Sequence, residues 1–445
     1  MKKSVRSTGK TQEVETKVGP ELMQLFLPML GALSNVRATL LDFVFQIGLQ
    51  GITELLEQER TRLVGPAEAH NPAGKYGRAG TAKSSLVLGG RKVKFERPRV
   101  RTKVKKGSNE PSVEVPLETW EAFSKEDPLD ERAAEQMVIG VSTRKYKRSL
   151  ENLPENVESS STSKSAVSRR FVEVTSAEFE KLMSQSIASL DIQALMLDGV
   201  AVAGHTIIVA LGFDSGGNKH VLGLWEGATE NAEVCKSLLA DLVERGLPTN
   251  RTLLVVIDGS KALAKAVKDT FGKRLLIQRC QVHKRRNVEE HLPEEEKKSI
   301  GAAIQSAYSC GNAERAKERL MKIAQSIEKK YPGAAASLRE GMDETLTVLR
   351  FGLSEALERT FATTNAVENL NGTVRHISRR VKNWQDGTMI LRWFAIAMVE
   401  AQKGFRRLKG YKDMKTLVRV LRRHDAKLEK ELAPEKEVAP TMEAA

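Results

Sequence analysis

Two aspartates in this chain share one setting. An apolar run ends in Asp-Gly at LMLDGV, with Asp198, and again at VVIDGS, with Asp258. Asp-Gly is also the default composition of a turn, and a single instance would say little more than that. Two instances at the ends of β-rich runs say more, because a carboxylate in or at the end of a buried strand is costly unless positive charge compensates it. A divalent cation is the most direct compensation, and it needs further oxygen ligands. The segment TTNAVENLNGTVRHISRRV offers Glu368. On a helix, Val367, Leu370, Val374, Ile377 and Val381 share one face, while Glu368, Asn371, Arg375 and Arg379 line a neighbouring polar one. Asn365 and Glu368 also have the spacing of a capping box, in which the glutamate serves only the first turn. That alternative leaves the two strand aspartates unexplained, whereas a metal site takes in all three carboxylates.

These residues need a frame to meet. IQALMLDGVAV, HTIIVALGFD and KHVLGLWEG are apolar runs separated by Gly204 and by Ser215-Gly216-Gly217-Asn218, the pattern of a three-stranded meander. A helix is expected from about Asn231 to Arg245, then the strand TLLVVI, a helix from Ser260 to Lys268 and a short strand LLIQR. This β-β-β-α-β-α-β order predicts an α/β fold, a mixed sheet with helices on its faces. From Lys284 to about Thr360 the pattern is helical and charged, broken at Pro293 and Pro332, as in an insertion. Two helices, about Asn365 to Val381 and Thr388 to Phe405, precede a basic tail ending in the low-complexity ELAPEKEVAPTMEAA, which is expected to fray.

Ahead of the sheet, apolar residues recur at helical spacing from Glu21 to about Leu63. HNPAGKYGRAGTAKSS reads as a linker or loop, and LVLGGRKVKFERPRVRTKVKK as a hairpin turning at Gly89-Gly90 with a cationic second arm. That arm suits a DNA backbone, and it equally suits an edge strand guarded by Lys and Arg. Residues 131–185 read as three helices, ERAAEQMVIG, STRKYKRSLENL and SKSAVSRRFVEVTSAEFEKLM, with Ser142 and Ser163 as caps. Short helices on short turns suit a helix-turn-helix, with Arg144, Lys145, Arg169 and Arg170 as DNA-contacting candidates, although the joint ESSSTSKS is longer than such a turn needs.

Composition narrows the partner. The chain has 445 residues, 71 Lys plus Arg against 57 Asp plus Glu, and a formal charge of +14. Hydrophobic residues at 40% and charged ones at 29% describe a globular, multidomain protein able to bury real cores. Excess positive charge on such a chain points to polyanions, of which nucleic acid is the commonest. Three cysteines cannot build a disulfide framework. The apolar run LMQLFLPMLGALSNV is interrupted by Gln24 and Pro28 and is too short to span a bilayer, and no cleavable leader is expected. The expected compartment is the cytoplasm, with association to the nucleoid. Gly9-Lys10-Thr11 lacks the upstream glycine and preceding strand of a phosphate-binding loop, so no nucleotide motor is expected.

The strings LMLDG, VVIDGSKAL, RCQVHKRRNV and TTNAVENLNGTVR resemble the Mutator-type family of bacterial insertion-sequence transposases, and the resemblance runs from about Phe43 to Phe405. It implies a ribonuclease H-like catalytic domain with a helical insertion, preceded by a mainly helical DNA-binding region. It also implies an Asp-Asp-Glu triad, here Asp198, Asp258 and Glu368, holding two magnesium ions, or manganese in their place. The spacing fits, with 60 residues between the aspartates and 110 from Asp258 to Glu368. The family usually has Glu-Arg ahead of Leu-Asn; here Asn369 follows Glu368, a lost cation that weakens DNA contact without removing a metal ligand.

Cys280 and His283 form a Cys-x-x-His without a second pair, too few ligands for zinc; the family carries a similar motif, which implies a local role beside the active site. The adjoining Lys284, Arg285 and Arg286, together with Arg375, are phosphate-contact candidates, with a solvated helix face as the alternative.

The expected organisation is a helical region with basic hairpin at 1–110, a helix-turn-helix-like domain at 111–190, a catalytic core at 191–283 with closing helices at 361–405, an insertion at 284–360 and a basic tail at 406–445. The expected activity is binding of an element's terminal inverted repeats, cleavage there and joining to target DNA, by a homo-oligomer assembled on DNA. A non-catalytic DNA-binding descendant and a ribonuclease H-fold nuclease without strand transfer are the alternatives. A tyrosine or serine recombinase does not account for the paired strand aspartates.

Overall fold

A computed structural model describes residues 38–67, 74–103, 111–124, 128–153, 157–227 and 231–432. The apolar run before Arg37, Gly9-Lys10-Thr11 and the tail beyond residue 432 lie outside the described residues. The chain divides into two compact units, one of residues up to 129 with 147–163, the other of 130–146 with 164 onward. The stretch 111–190, expected as one domain, is therefore shared between them.

In the first unit, helix α1 (Ala38–Val64) is followed by the hairpin β1 (Tyr76–Leu88) and β2 (Arg91–Thr102). Gly89 and Gly90 make its turn at φ of 60° and 80°, a conformation that favours glycine. The hairpin is longer than expected, because β1 takes up most of the stretch expected to be a linker. Its Gly80, at φ 72°, sits where the register shifts between Arg78 and Thr81. Glycine there marks a β-bulge rather than a break. The short strands β3 (Glu114–Val115) and β4 (Ser159–Ser160) both pair with β2, and helix α2 (Glu118–Ser124) follows β3. Leu56, Leu86, Phe95, Val100 and Leu117 form the core. Two cations of the hairpin are already engaged: Arg97 and Arg99 grip Glu114 at 2.8 and 2.6 Å.

The second unit takes in α3 (Pro128–Val138) from Asp130 on, and α4 (Lys164–Ser184). The helix expected from Ser142 is not formed; a turn over 143–145 leads into one 3-10 turn, Tyr146–Ser149. Between residues 142 and 150 only Tyr146 and Leu150 are buried, too few anchors to hold a longer helix against a neighbour.

The five-stranded sheet is built from β5 (Ile192–Val202), β6 (His205–Asp214), β7 (Lys219–Gly227), β8 (Leu253–Ile257) and β9 (Leu275–Arg279), in the order β7-β6-β5-β8-β9. The meander β5-β6-β7 is antiparallel, and β8 and β9 add in parallel to β5. Helices α5 (Ala232–Glu244) and α6 (Lys261–Phe271) make the crossovers, started by Asn231 and Ser260, whose side chains accept from Val234 N and Leu263 N.

Five helices follow as an insertion with its own core: α7 (Gln281–Glu289), α8 (Glu294–Tyr308), α9 (Ala313–Glu328), α10 (Pro332–Arg339) and α11 (Met342–Thr345). The helical pattern breaks at Pro293 and Pro332 as expected, and each proline starts the next helix, at the N-cap of α8 and in the first turn of α10. The chain returns to the sheet through α12 (Glu355–Phe361), α13 (Asn365–Ser378) and α14 (Gly387–Lys403). It does not end there in a tail, because Met414–Leu432 is a helix, α15, with Met414, Leu417 and Leu421 in the main core.

Strand alternation sorts two cores onto the two faces of the sheet. Ala194, Met196 and Val200 of β5, with Leu254 and Val256 of β8, pack with α12 to α15. Leu195 and Leu197, with Leu253, Val255 and Ile257, pack with α5 and α6. The helices α3 and α4 bury Ala134, Val138 and Phe171 against Trp393 of α14, the two rings 4.5 Å apart.

Candidate active site

Parallel pairing sets the two aspartates side by side. Ala194 is level with Leu254 and Met196 with Val256, so Asp198, two residues on, comes level with Asp258 just past the end of β8. Asp198 shares the alternation of Ala194, Met196 and Val200, which turns it to the face covered by α13. There Val367, Leu370 and Val374 hold α13 down, and Asn371, on the polar face noted beside Glu368, donates from Nδ2 to Asp198 Oδ2 at 2.7 Å. The Oδ1 of Asn371 is buried and has no hydrogen-bond partner. Asp258 does both jobs its sequence suggests: it stands at the strand end, and its Oδ1 accepts from Ser260 N at 2.8 Å in an Asx-turn that starts α6.

Glu368 lies in the first turn of α13, but no capping box forms. The N-cap is Thr364, Asn365 is the first helical residue, and the Thr364 hydroxyl donates to Glu368 Oε1 at 2.5 Å. His283 Nδ1 lies 3.3 Å from Thr364 Oγ1 and 3.9 Å from Glu368 Oε1. Since that hydroxyl's proton points to the glutamate, the ring nitrogen is the donor to it, an assignment made from the network.

Cys280 explains how His283 arrives there. It is the N-cap of α7, its Sγ accepting from His283 N at 3.5 Å. A cap reaches the backbone N–H three residues on, so Cys-x-x-His is the spacing of a helix start as well as of a metal pair. Among the described residues, the set of His, Cys, Asp or Glu side chains whose ligand atoms all fall within 4.8 Å of one another is Cys280, His283 and Glu368.

Electrostatics tie these groups into one site. Burial, and then the negative charges of Asp258 and Glu368, push the Asp198 carboxyl up to about 6, against the hydrogen bond from Asn371 and the charge of His283. His283 is also raised, to about 9, first by its hydrogen bond with Cys280 and then by the charges of Cys280, Glu368 and Asp258, which favours its charged form where the shift of Asp198 favours the neutral one. Burial alone would raise the Cys280 thiol, but hydrogen bonds with His283 and Thr364 bring it below its ordinary value. Asp198, Asp258 and Glu368 are therefore within electrostatic reach of one another and of His283.

The other candidates scatter. Lys284 is buried, and its Nζ donates to Ser337 O at 2.7 Å inside the insertion; burial lowers it below its ordinary value. An ammonium so placed is not presented to a DNA backbone. Arg285 is half-buried and faces Glu289 at 3.4 Å, while Arg286 is exposed. Arg169 is exposed on α4, and Arg170 beside it pairs with Asp130 at 2.6 Å. Arg144 and Lys145 are exposed on the turn before Tyr146, and Arg375 is exposed on α13. Thr364 had no signal in the sequence, since its role depends on where α13 starts.

The transposase, Mutator family, model matches residues 38–407. The chain is 26% identical over 369 residues to the transposase for insertion sequence element ISRM5 of Rhizobium meliloti (strain 1021), covering 82% of this chain and 89% of that one. It is 29% identical over 252 residues to a probable transposase for an insertion sequence element of Corynebacterium diphtheriae, 54% of this chain and 72% of that one. With the transposase for insertion sequence element IS256 in transposon Tn4001 of Staphylococcus aureus it shares 25% identity over 280 residues, 60% and 68%. The family match takes in the whole sheet, the insertion and the helix that carries Glu368, and on that evidence the chain belongs to the Mutator family of transposases.

Proposed function

We propose that the protein is an Asp-Asp-Glu transposase that binds the terminal inverted repeats of an insertion sequence, cleaves there and joins the ends to target DNA, using Asp198, Asp258 and Glu368. The observation that carries this reading is the placement of the three carboxylates: Asp198 and Asp258 level on adjacent parallel strands, and Glu368 on the helix that covers them, with Asp258 and Glu368 near enough to raise Asp198. The sheet order, an antiparallel meander extended by two parallel strands, supports a ribonuclease H-like core.

The donor set suits magnesium, or manganese, and two ions are proposed. It is all oxygen, as hard divalent cations require, and the unpartnered Oδ1 of Asn371 adds a further oxygen beside Asp198. Such ions, when bound, supply Lewis-acid stabilisation of a phosphoryl group and a more acidic attacking hydroxyl. The protein's own contribution is positional. Asn371 fixes the orientation of Asp198, and the chain from His283 Nδ1–H through Thr364 Oγ1–H to Glu368 Oε1 fixes Glu368. His283 keeps its proton at neutral pH and adds a positive charge beside the place of a scissile phosphate. Phosphodiester exchange needs no nucleotide, because the bond made is of the same kind as the bond broken. Contacts to DNA are assigned to the exposed Arg144, Lys145, Arg169, Arg286 and Arg375, and the reaction to a homo-oligomer on DNA. No helix among the described residues is long and apolar enough to cross a membrane.

The test is substitution of each carboxylate by its amide. Asp198→Asn, Asp258→Asn and Glu368→Gln should each abolish cleavage and joining of a terminal-repeat duplex in magnesium while leaving its binding intact. Hydrolysed but never joined ends from the unaltered protein would make it a nuclease. Full activity in any one variant would remove that residue from the site.

A further inference from the structure

The sheet has a second charged edge. Because β5, β8 and β9 run in one direction, Asp198 and Asp258 lie toward their carboxyl ends, while the turn at Ser215 and residues Thr252 and Arg274 lie at their amino ends. Helix α15 fastens to that amino edge. Asp425 accepts from Thr252 N at 2.7 Å and Thr252 Oγ1 at 2.6 Å, and pairs with Arg274 at 2.8 Å. With Leu417, Leu421 and Leu428 buried, the opposite face looks outward, and it carries Lys415, Arg419, Arg422 and Arg423, all exposed. These four, with Ser215 across from them, line an open groove of about 540 Å³ that has no acidic side chain in its walls. The acid that Arg422 influences, Asp191, is already held by Arg251 at 2.6 Å.

We propose that this groove binds the phosphate backbone of duplex DNA, holding a stretch away from the phosphodiester that reacts. The proposal rests on the reading of the chain as a DNA transposase and adds to it a second place of contact. Six residues of β5 separate Ile192 from Asp198, about 20 Å of strand, so one phosphate cannot serve both places. Lys415 to Arg423 is eight residues, about 12 Å of helix. One DNA strand carries a charge about every 3.4 Å along the axis, so that length faces three to four phosphates, as many as there are cations. An acidic protein segment would also be attracted, but the number and spacing of the cations suit a regular polyanion.

The full chain is compared with the combined variant Lys415→Ala, Arg419→Ala, Arg422→Ala, Arg423→Ala for binding to terminal-repeat duplexes of about 12 and about 40 base pairs, over a range of salt. For the longer duplex, the slope of log affinity against log salt should fall by roughly 2 to 4 in the variant, at about 0.9 per lost phosphate contact. The short duplex should show less change, and the variant should lose most of the affinity that the unaltered protein gains from added length. Equal slopes and equal length dependence would overturn the proposal. So would a duplex salt slope that is unchanged in the variant while polyglutamate binds the unaltered protein and not the variant, which would assign the groove to an acidic protein. If the alanine variant melts early, the four glutamine substitutions, which keep longer stems, take its place, and Arg-to-Lys substitutions should restore the slope in either case. An Asp258→Asn protein that cleaves normally would defeat the catalytic reading and leave the groove standing, so the two failures are distinct.

Discussion

Asp198→Asn should make the metal-free protein more stable while making it inactive. The Asp198 carboxyl is raised from 3.8 to about 6, by burial first and by Asp258 and Glu368 next. At about 1.4 kcal/mol per pH unit, the folded state disfavours its charged form by about 3 kcal/mol relative to the unfolded chain. The sign follows from proton counting. Between 3.8 and about 6 the folded state holds the proton and the unfolded state does not, so stability falls as pH rises through that window and the full cost is present above it. Asparagine removes the charge and still offers an oxygen to Asn371 Nδ2, and its own amide can donate to the unpartnered Asn371 Oδ1. In EDTA at about pH 8 the variant should therefore gain about 1 to 3 kcal/mol, seen as a rise in melting temperature of roughly 2 to 6 °C. Below about pH 3 the difference should vanish, because the aspartate is then neutral in both states. Millimolar magnesium should reverse the order, since a ligand that binds only the folded wild-type site adds RT ln(1 + [L]/Kd) to its stability. Equal melting of the two proteins in EDTA, or an equal rise of both in magnesium, would refute the claim that Asp198 sits in a carboxylate cluster built for a cation.

Thr364→Val should lower activity far more than DNA binding, because it cuts the link from His283 to Glu368; circular dichroism should show α13 intact, and unchanged turnover would make the link incidental. Lys284→Ala should destabilise the protein by about 1 to 3 kcal/mol in thermal melts, because the partly buried Ser337 carbonyl loses its donor and the buried stem of Lys284 its packing, whereas Arg286→Ala should leave melting unchanged and flatten the salt dependence of DNA binding by about 0.9. Arg170→Ala should loosen α4 by breaking the pair with Asp130, visible as faster hydrogen exchange there, while Arg169→Ala should weaken binding to terminal repeats without that change; the reverse outcome would exchange their roles.

What the sequence made legible follows from the range of the interactions involved. The strands Ile192–Val202, His205–Asp214, Lys219–Gly227 and Leu275–Arg279 begin and end where their apolar runs do, because β-branched residues and Gly or Asn turns act locally. The aspartates and the glutamate were legible as residue types, but their meeting depends on the parallel register of β5 and β8, a contact across 60 residues. Asn371 could be placed on the right face of its helix, yet its partner Asp198 lies 173 residues away.

Where local signals have two physical causes, the sequence leaves the choice to packing. Gly80 serves a bulge inside a strand where its neighbours suggest a linker, and Cys280 to His283 is a helix cap at the spacing of a metal pair. Charge is the most ambiguous signal of all. Lys284, Arg285 and Arg286 look alike as sequence, but one is buried against a carbonyl, one faces a glutamate and one is exposed. The segment after residue 405 looks like a basic tail because its cations outnumber its leucines, although Leu417, Leu421 and Leu428 at helical spacing are what dock it. Docking turns an undirected excess of charge into an outward row of four cations, Lys415, Arg419, Arg422 and Arg423. Net charge counts the cations a chain carries, and the apolar residues between them decide which ones a polyanion can reach.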